Sequence, residues 1–124
     1  MRSDREPRVQ DMRRDEKILV VEDNPTICRS IEAHFNCDCA TDGWDAIEKL
    51  ETGDYAAIVI DADVPRHSGY GVLAYLREEV GDELQNVIFM TSSDREAVQR
   101  DFGAQLTVVE KDRAVDEITR VLER

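Results

Sequence analysis

No stretch of this 124-residue chain approaches the roughly 18–20 consecutive apolar residues needed to cross a bilayer. The charged N-terminus also lacks the apolar segment of a secretory signal. The three cysteines, Cys28, Cys37 and Cys39, are odd in number and lack the spacing of a disulfide framework. A reducing cytoplasm is the expected compartment, with no membrane partner. Basic residues are in the minority, 16 Lys and Arg against 28 Asp and Glu for a net charge of −12. No basic patch is available to replace phosphate counterions, so no nucleic-acid partner is expected. A metal site, basic partners or solvated acidic faces account better for such a charge. Internal repeats and low-complexity segments are also missing. What remains, 41% hydrophobic and 35% charged, is the composition of a globular protein long enough for one core.

Residues 1–16 carry charges of both signs and almost no apolar periodicity, and read as a flexible tail ahead of a single domain at 17–124. His34, Cys37 and Cys39 lack a fourth ligand at zinc spacing. Cys37 and Cys39 alternate along an apolar run, so both are expected to pack inward as small hydrophobes.

Five short apolar runs punctuate the domain: Ile18–Val21, Cys37–Ala40, Ala57–Ile60, Val87–Met90 and Leu106–Val109. Four are nearly continuous and rich in Val and Ile, as buried parallel strands are. Cys37–Ala40 is weaker and suits a sheet edge. Between them lie apolar residues at helical spacing: Ile27, Ile31 and Phe35; Ile47 and Leu50; Val72, Leu73, Leu76 and Val80; Val115, Ile118 and Leu122. The segment after Ser93 has the weakest periodicity, but Ser93-x-x-Glu96 has the form of a capping box. Pro25 after Asn24 suits the first position of a helix. Strands alternating with helices predict an α/β fold, a doubly wound parallel sheet with helices on both faces. Right-handed crossovers and this length favour the flavodoxin-like order 2-1-3-4-5.

The chemistry lies just beyond the ends of four of the five runs: Glu22 and Asp23 after the first, Asp61 after the third, Thr91 after the fourth, Lys111 after the fifth. In open parallel sheets ligands bind beyond the carboxyl ends of the strands. In the expected order the first, third, fourth and fifth strands are neighbours, so these side chains meet at one rim. Three crowded carboxylates repel one another unless a cation intervenes, and hard oxygen ligands suit Mg²⁺. A lysine and a hydroxyl opposite them suit a phosphate. This is equipment for phosphoryl transfer to an aspartate. Taken singly the residues have blander readings: Asp23 or Asn24 as a helix cap, Lys111 as a surface lysine, Thr91 as a turn residue.

From Lys17 to Arg124 the chain resembles a bacterial response-regulator receiver domain of the chemotaxis-regulator type. KILVVEDNP resembles the first strand and acidic pair of that family. IVIDADVPRHSG resembles the phosphoacceptor strand and loop, with Pro65 and Gly69 four and eight residues after Asp61. VIFMTSSD resembles the fourth strand with its switch hydroxyl, and FGAQLTVVEKD the approach to the fifth strand and its lysine. The resemblance implies that Asp61 is phosphorylated and that Asp23 and Asp61 bind Mg²⁺ directly. Glu22 would act through water, and the main-chain carbonyl of Asp63 would supply a further ligand. Lys111, Thr91 and the backbone N–H of Ser92 would contact the phosphoryl oxygens. The donor would be a phosphohistidine on a sensor histidine kinase or phosphotransfer protein; the downstream effector is not named by the sequence.

Two positions depart from the family. Asp112 follows Lys111 where proline is usual, and the residues where the fifth strand usually has an aromatic ring are Thr107 and Val108. The spacing from Gly103 to Lys111 is about one residue longer than usual, and the segment from Thr91 to Lys111 is slightly short. These departures support an alternative, a degenerate receiver that binds partners irrespective of phosphorylation. The Asp61-Ala-Asp63-Val segment also resembles the nucleophile motif of haloacid-dehalogenase-type phosphatases. Those enzymes need an acidic pair downstream, whereas the pair here lies upstream. The expectation is a signalling module rather than a turnover enzyme, with no effector domain attached.

Overall fold

The computed structural model of the protein describes residues 16–53, 55–62, 71, 72, 74, 75, 78, 87–102 and 107–123, with residues 102 and 123 as backbone only. Five strands, β1 (Ile18–Val21), β2 (Cys37–Ala40), β3 (Ala57–Asp61), β4 (Val87–Thr91) and β5 (Thr107–Glu110), form one sheet. Their order is β2-β1-β3-β4-β5 and every pairing is parallel, as expected. The weakly apolar β2 is an edge strand of intermediate burial, whereas β1, β3 and β4 are buried throughout.

Three strand ends differ from the apolar runs, and all three differences matter to the site. β3 and β4 extend one residue further, so Asp61 and Thr91 are themselves the last strand residues. β5 likewise runs one residue past Val109, because the ladder pairs Thr91 with Glu110; Leu106 lies outside the described residues. Lys111 therefore leaves the sheet directly beyond Thr91 and its partner.

Side-chain alternation along the strands divides the core in two. Leu19, Val21, Ile60, Phe89 and Val108 face one side, where Ala46, Val72 and Val98 cover them. Ile18, Val20, Val59, Met90 and Val109 face the other, under Cys28, Ile31, Ile118 and Leu122. The covering helices are α1 (Pro25–Glu32), α2 (Gly43–Thr52), α3 (Arg95–Phe102) and α4 (Ala114–Glu123). α1 and α4 lie on one face of the sheet, α2 and α3 on the other. Of the segment with Val72, Leu73, Leu76 and Val80, helical backbone is seen at residues 71, 72, 74 and 75, with Val72 buried. Leu73, Leu76, Val80, the tail up to residue 15, Asp63, Pro65 and Gly69 lie outside the described residues.

Local chemistry sets the helix starts. Asn24 caps α1, its Oδ1 accepting the Thr26 N–H at 2.9 Å, with Pro25 in the first turn. Phe35 falls beyond α1, which ends at Glu32, but still packs on the core. The Ser93-x-x-Glu96 box is corrected. Asp94 is the cap of α3, its Oδ1 accepting the Glu96 N–H at 2.9 Å, because a carboxylate one residue nearer the helix satisfies that donor first. Among the described residues no helix is long and apolar enough to cross a membrane.

Candidate active site

The rim at the carboxyl ends of β1, β3, β4 and β5 gathers the expected side chains that are described. Asp61 and Thr91 are buried at the ends of their strands, and Glu22 is buried one residue beyond β1. Asp23 is exposed at the mouth of the rim. Because Asn24 takes the capping role, the helix start does not consume the Asp23 carboxylate. One oxygen each from Glu22, Asp23 and Asp61 lie within 4.8 Å of one another.

Lys111 closes the other side. Its Nζ donates to Asp61 Oδ2 at 2.7 Å, a charge-assisted bond between residues 50 positions apart in the chain. The same Nζ stands 3.5 Å from Glu22 Oε1, an ion-pair distance rather than a hydrogen bond. Proline is absent after Lys111, and residues 111–113 instead make one tight 3₁₀ turn running straight into α4. The turn holds the base of Lys111 at the end of β5, and its side chain reaches across the end of β4 to Asp61.

The carboxylates are not equivalent. Glu22 Oε2 accepts the backbone N–H of Asn24 at 3.1 Å, which fixes the side chain. Its Oε1 is buried with no hydrogen-bond partner among the described residues. Burial above all, and then the Asp61 carboxylate beside it, push Glu22 up to about 7; the Asn24 amide and Lys111 oppose the shift. One lysine thus faces two buried carboxylates. An orphaned carboxylate oxygen among hard oxygen donors is the environment a small divalent cation satisfies, and this donor set fits Mg²⁺.

Thr91 Oγ1 accepts the Ser93 N–H at 2.9 Å, which orders the turn after β4 and places Ser92 at its bend. The structure thus brings together Glu22, Asp23, Asp61, Thr91 and Lys111. Sequence reasoning missed Glu117. Its Oε1 accepts the Glu110 N–H at 3.0 Å, and its Oε2 pairs with Arg95 Nη2 at 3.6 Å. Arg95 also pairs with Glu110 at 3.6 Å, so one arginine joins the start of α3 to β5 and α4. The signal was present: Glu117 lies beside Ile118 on the apolar face of α4, where a carboxylate needs a partner.

Comparison with known proteins agrees with this geometry. The response regulator receiver domain model matches residues 18–123. The chain is 36% identical over 84 residues to the transcriptional regulatory protein DltR of Streptococcus agalactiae, covering 64% of this chain but only 37% of that protein. It is 31% identical over 83 residues to protein PilG of Pseudomonas aeruginosa, covering 63% of this chain and 62% of that one. Among solved structures, Vibrio cholerae chemotaxis protein CheY4 superposes with a TM-score of 0.68 at 19% identity, covering 86% of this chain and 98% of that one. The receiver domain of sensor histidine kinase PA1611 from Pseudomonas aeruginosa, solved with magnesium in its active-site cleft, gives 0.65 at 22% identity, covering 88% and 98%. The chain therefore belongs to the response regulator receiver domain family of two-component signalling.

Proposed function

We propose that this receiver takes a phosphoryl group from a phosphohistidine of a cytoplasmic sensor kinase or phosphotransfer protein onto Asp61. The observation that carries the reading is the Lys111–Asp61 bond at 2.7 Å within a rim that also holds Glu22 and Asp23. A carboxylate oxygen of Asp61 attacks phosphorus in line, the phosphorus–nitrogen bond to the donor imidazole breaks, and that nitrogen keeps the electron pair. Asp23 and Asp61 would hold Mg²⁺ directly, with Glu22 acting through water and the Asp63 carbonyl adding a ligand. The ion supplies charge neutralisation for the equatorial phosphoryl oxygens. Lys111 shifts from the Asp61 carboxylate to a phosphoryl oxygen, and the Thr91 hydroxyl and Ser92 N–H donate to the others.

The phosphorylation-independent alternative drew its support from the altered fifth-strand region. Those changes leave Lys111 within reach of Asp61 without the usual proline. A phosphatase would use Asp63 as general acid, yet the acidic pair beside Asp61 comes from the upstream strand β1.

Metal binding separates the roles of the carboxylates. Asp23→Ala should weaken Mg²⁺ binding by about tenfold or more, and Glu22→Ala by less, because only Asp23 of the two is a direct ligand. Titration calorimetry measures both; equal affinity in the native and Asp23→Ala proteins would refute the arrangement.

Output is expected to be muted. Val108 pairs with Phe89 in the sheet and lies in the core cluster with Phe89 and Val98, while Thr107 is half-buried. Neither β-branched side chain can swing as a ring does, since each has few χ1 choices. Arg95 further ties α3 to α4 through Glu110 and Glu117. Beryllofluoride should therefore shift amide resonances near Asp61, Thr91 and Lys111 strongly, with smaller changes over residues 96–102 and 113–122. Large shifts throughout those two helices would contradict this reading of β5.

A further inference from the structure

Away from the acidic rim, α1 and the edge strand β2 bring all three cysteines of the chain to one place. Cys28 and Glu32 stand at i and i+4 on α1 and so share a face. Cys37 and Cys39 alternate to the same side of β2, the side that packs under α1. All three thiols are free. One ligand atom each from Glu32, Cys37 and Cys39 lie within 4.8 Å of one another. Cys28 lies in the same core cluster as Cys37 and Cys39 and donates to the Glu22 carbonyl at 3.6 Å. His34, which the sequence places nearby, turns its Nδ1 to the Ser30 carbonyl at 3.1 Å and stays outside the group. The ligands that the sequence spacing failed to supply come instead from α1.

We propose that Cys28, Glu32, Cys37 and Cys39 form a second cation site, for a thiophilic d¹⁰ divalent ion of the zinc and cadmium class. Three sulfurs and one carboxylate are the donor types such ions select over Mg²⁺, and four is their preferred number. Sulfurs around one zinc at the usual bond length stand about 3.8 Å apart, so Glu32, Cys37 and Cys39, spread over 4.8 Å, close with small side-chain rotations, and Cys28 completes the set from the helix packed over them. Packing of small hydrophobes explains why the cysteines point inward, but not why the Glu32 carboxylate stands within 4.8 Å of Cys37 and Cys39. Glu32 is exposed and Cys37 and Cys39 half-buried, which leaves an entry path at the sheet edge. Burial holds the thiols protonated, with Cys37 pushed up to about 11 and Cys28 and Cys39 also raised. Each thiol that binds the ion therefore loses its proton to solvent, so binding strengthens as pH rises.

The test is a titration of the full chain with Cd²⁺, under a non-thiol reductant and with Mg²⁺ in excess to occupy the oxygen rim. A sulfur-to-metal charge-transfer absorption should grow and saturate at one equivalent, protons should be released, and Zn²⁺ should compete the band away. Loaded with Zn²⁺, all three cysteines should resist alkylation, read residue by residue by peptide mass. Cys37→Ser with Cys39→Ser should weaken binding roughly a hundredfold or more. Glu32→Gln, a change at an exposed position that leaves the core intact, should weaken it about tenfold. A titration without a saturating band, or undiminished alkylation in Zn²⁺, would overturn the proposal. So would a band that survives loss of both Cys37 and Cys39. Unchanged affinity in Glu32→Gln would remove the carboxylate from the site.

Discussion

Glu22→Gln should stabilise the metal-free protein by on the order of 3 kcal/mol at pH 8, and by under about 1 kcal/mol at pH 5. Glutamate ordinarily titrates at 4.5, whereas Glu22 in the folded protein is pushed up to about 7 by burial and by Asp61. The folded state therefore holds this proton more tightly than the unfolded chain does. The stability attached to the proton is complete below the ordinary value and is lost as pH rises through about 7. A glutamine keeps the shape, still accepts from the Asn24 N–H, and removes the charge. Its amide also gives the orphaned Oε1 position a donor to aim at Asp61. Mg²⁺ should erase most of the difference between the two proteins by stabilising the native one, since the ion neutralises the same crowded oxygens. Urea unfolding at pH 5, 6, 7 and 8, with chelator and with Mg²⁺, measures this. A gain that is equal at every pH would contradict the assignment of the strain to Glu22 ionisation, as would a loss at pH 8.

The parts of the molecule legible in the sequence are those where one period dominates. Ile18–Val21 and Val87–Met90 are continuous apolar runs with room for nothing but a buried strand, and the strand order came from connection rules. The rim was legible because each functional residue lies within two positions of the end of such a run, so that sheet topology places Glu22, Asp23, Asp61, Thr91 and Lys111 together. Interactions between separate segments were less visible. The extension of β5 past Val109 depends on the pairing of Thr91 with Glu110 in the ladder, which no local pattern encodes. The choice of Asp94 over Ser93 as a cap is a competition between adjacent side chains for one N–H. The large shift on Glu22 arises from being buried beside Asp61, a neighbour distant in sequence. The cysteine group was hidden for the same reason: its ligands are shared between α1 and β2, and spacing along the chain pointed to His34 instead.

Phosphoryl acceptance at Asp61 is the central claim, and intact-mass analysis after incubation with acetyl phosphate tests it most directly. The native chain should gain a single phosphoryl group, stable to acid and labile to base as an acyl phosphate is, and only when Mg²⁺ is present. Lys111→Ala should reduce the labelled fraction, because the phosphoryl oxygens lose the cation that now pairs with Asp61 at 2.7 Å. Asp61→Asn should abolish labelling, since an amide at that position cannot form the acyl phosphate. Undiminished labelling of Asp61→Asn, or a native chain that stays unmodified in acetyl phosphate and Mg²⁺, would contradict the account.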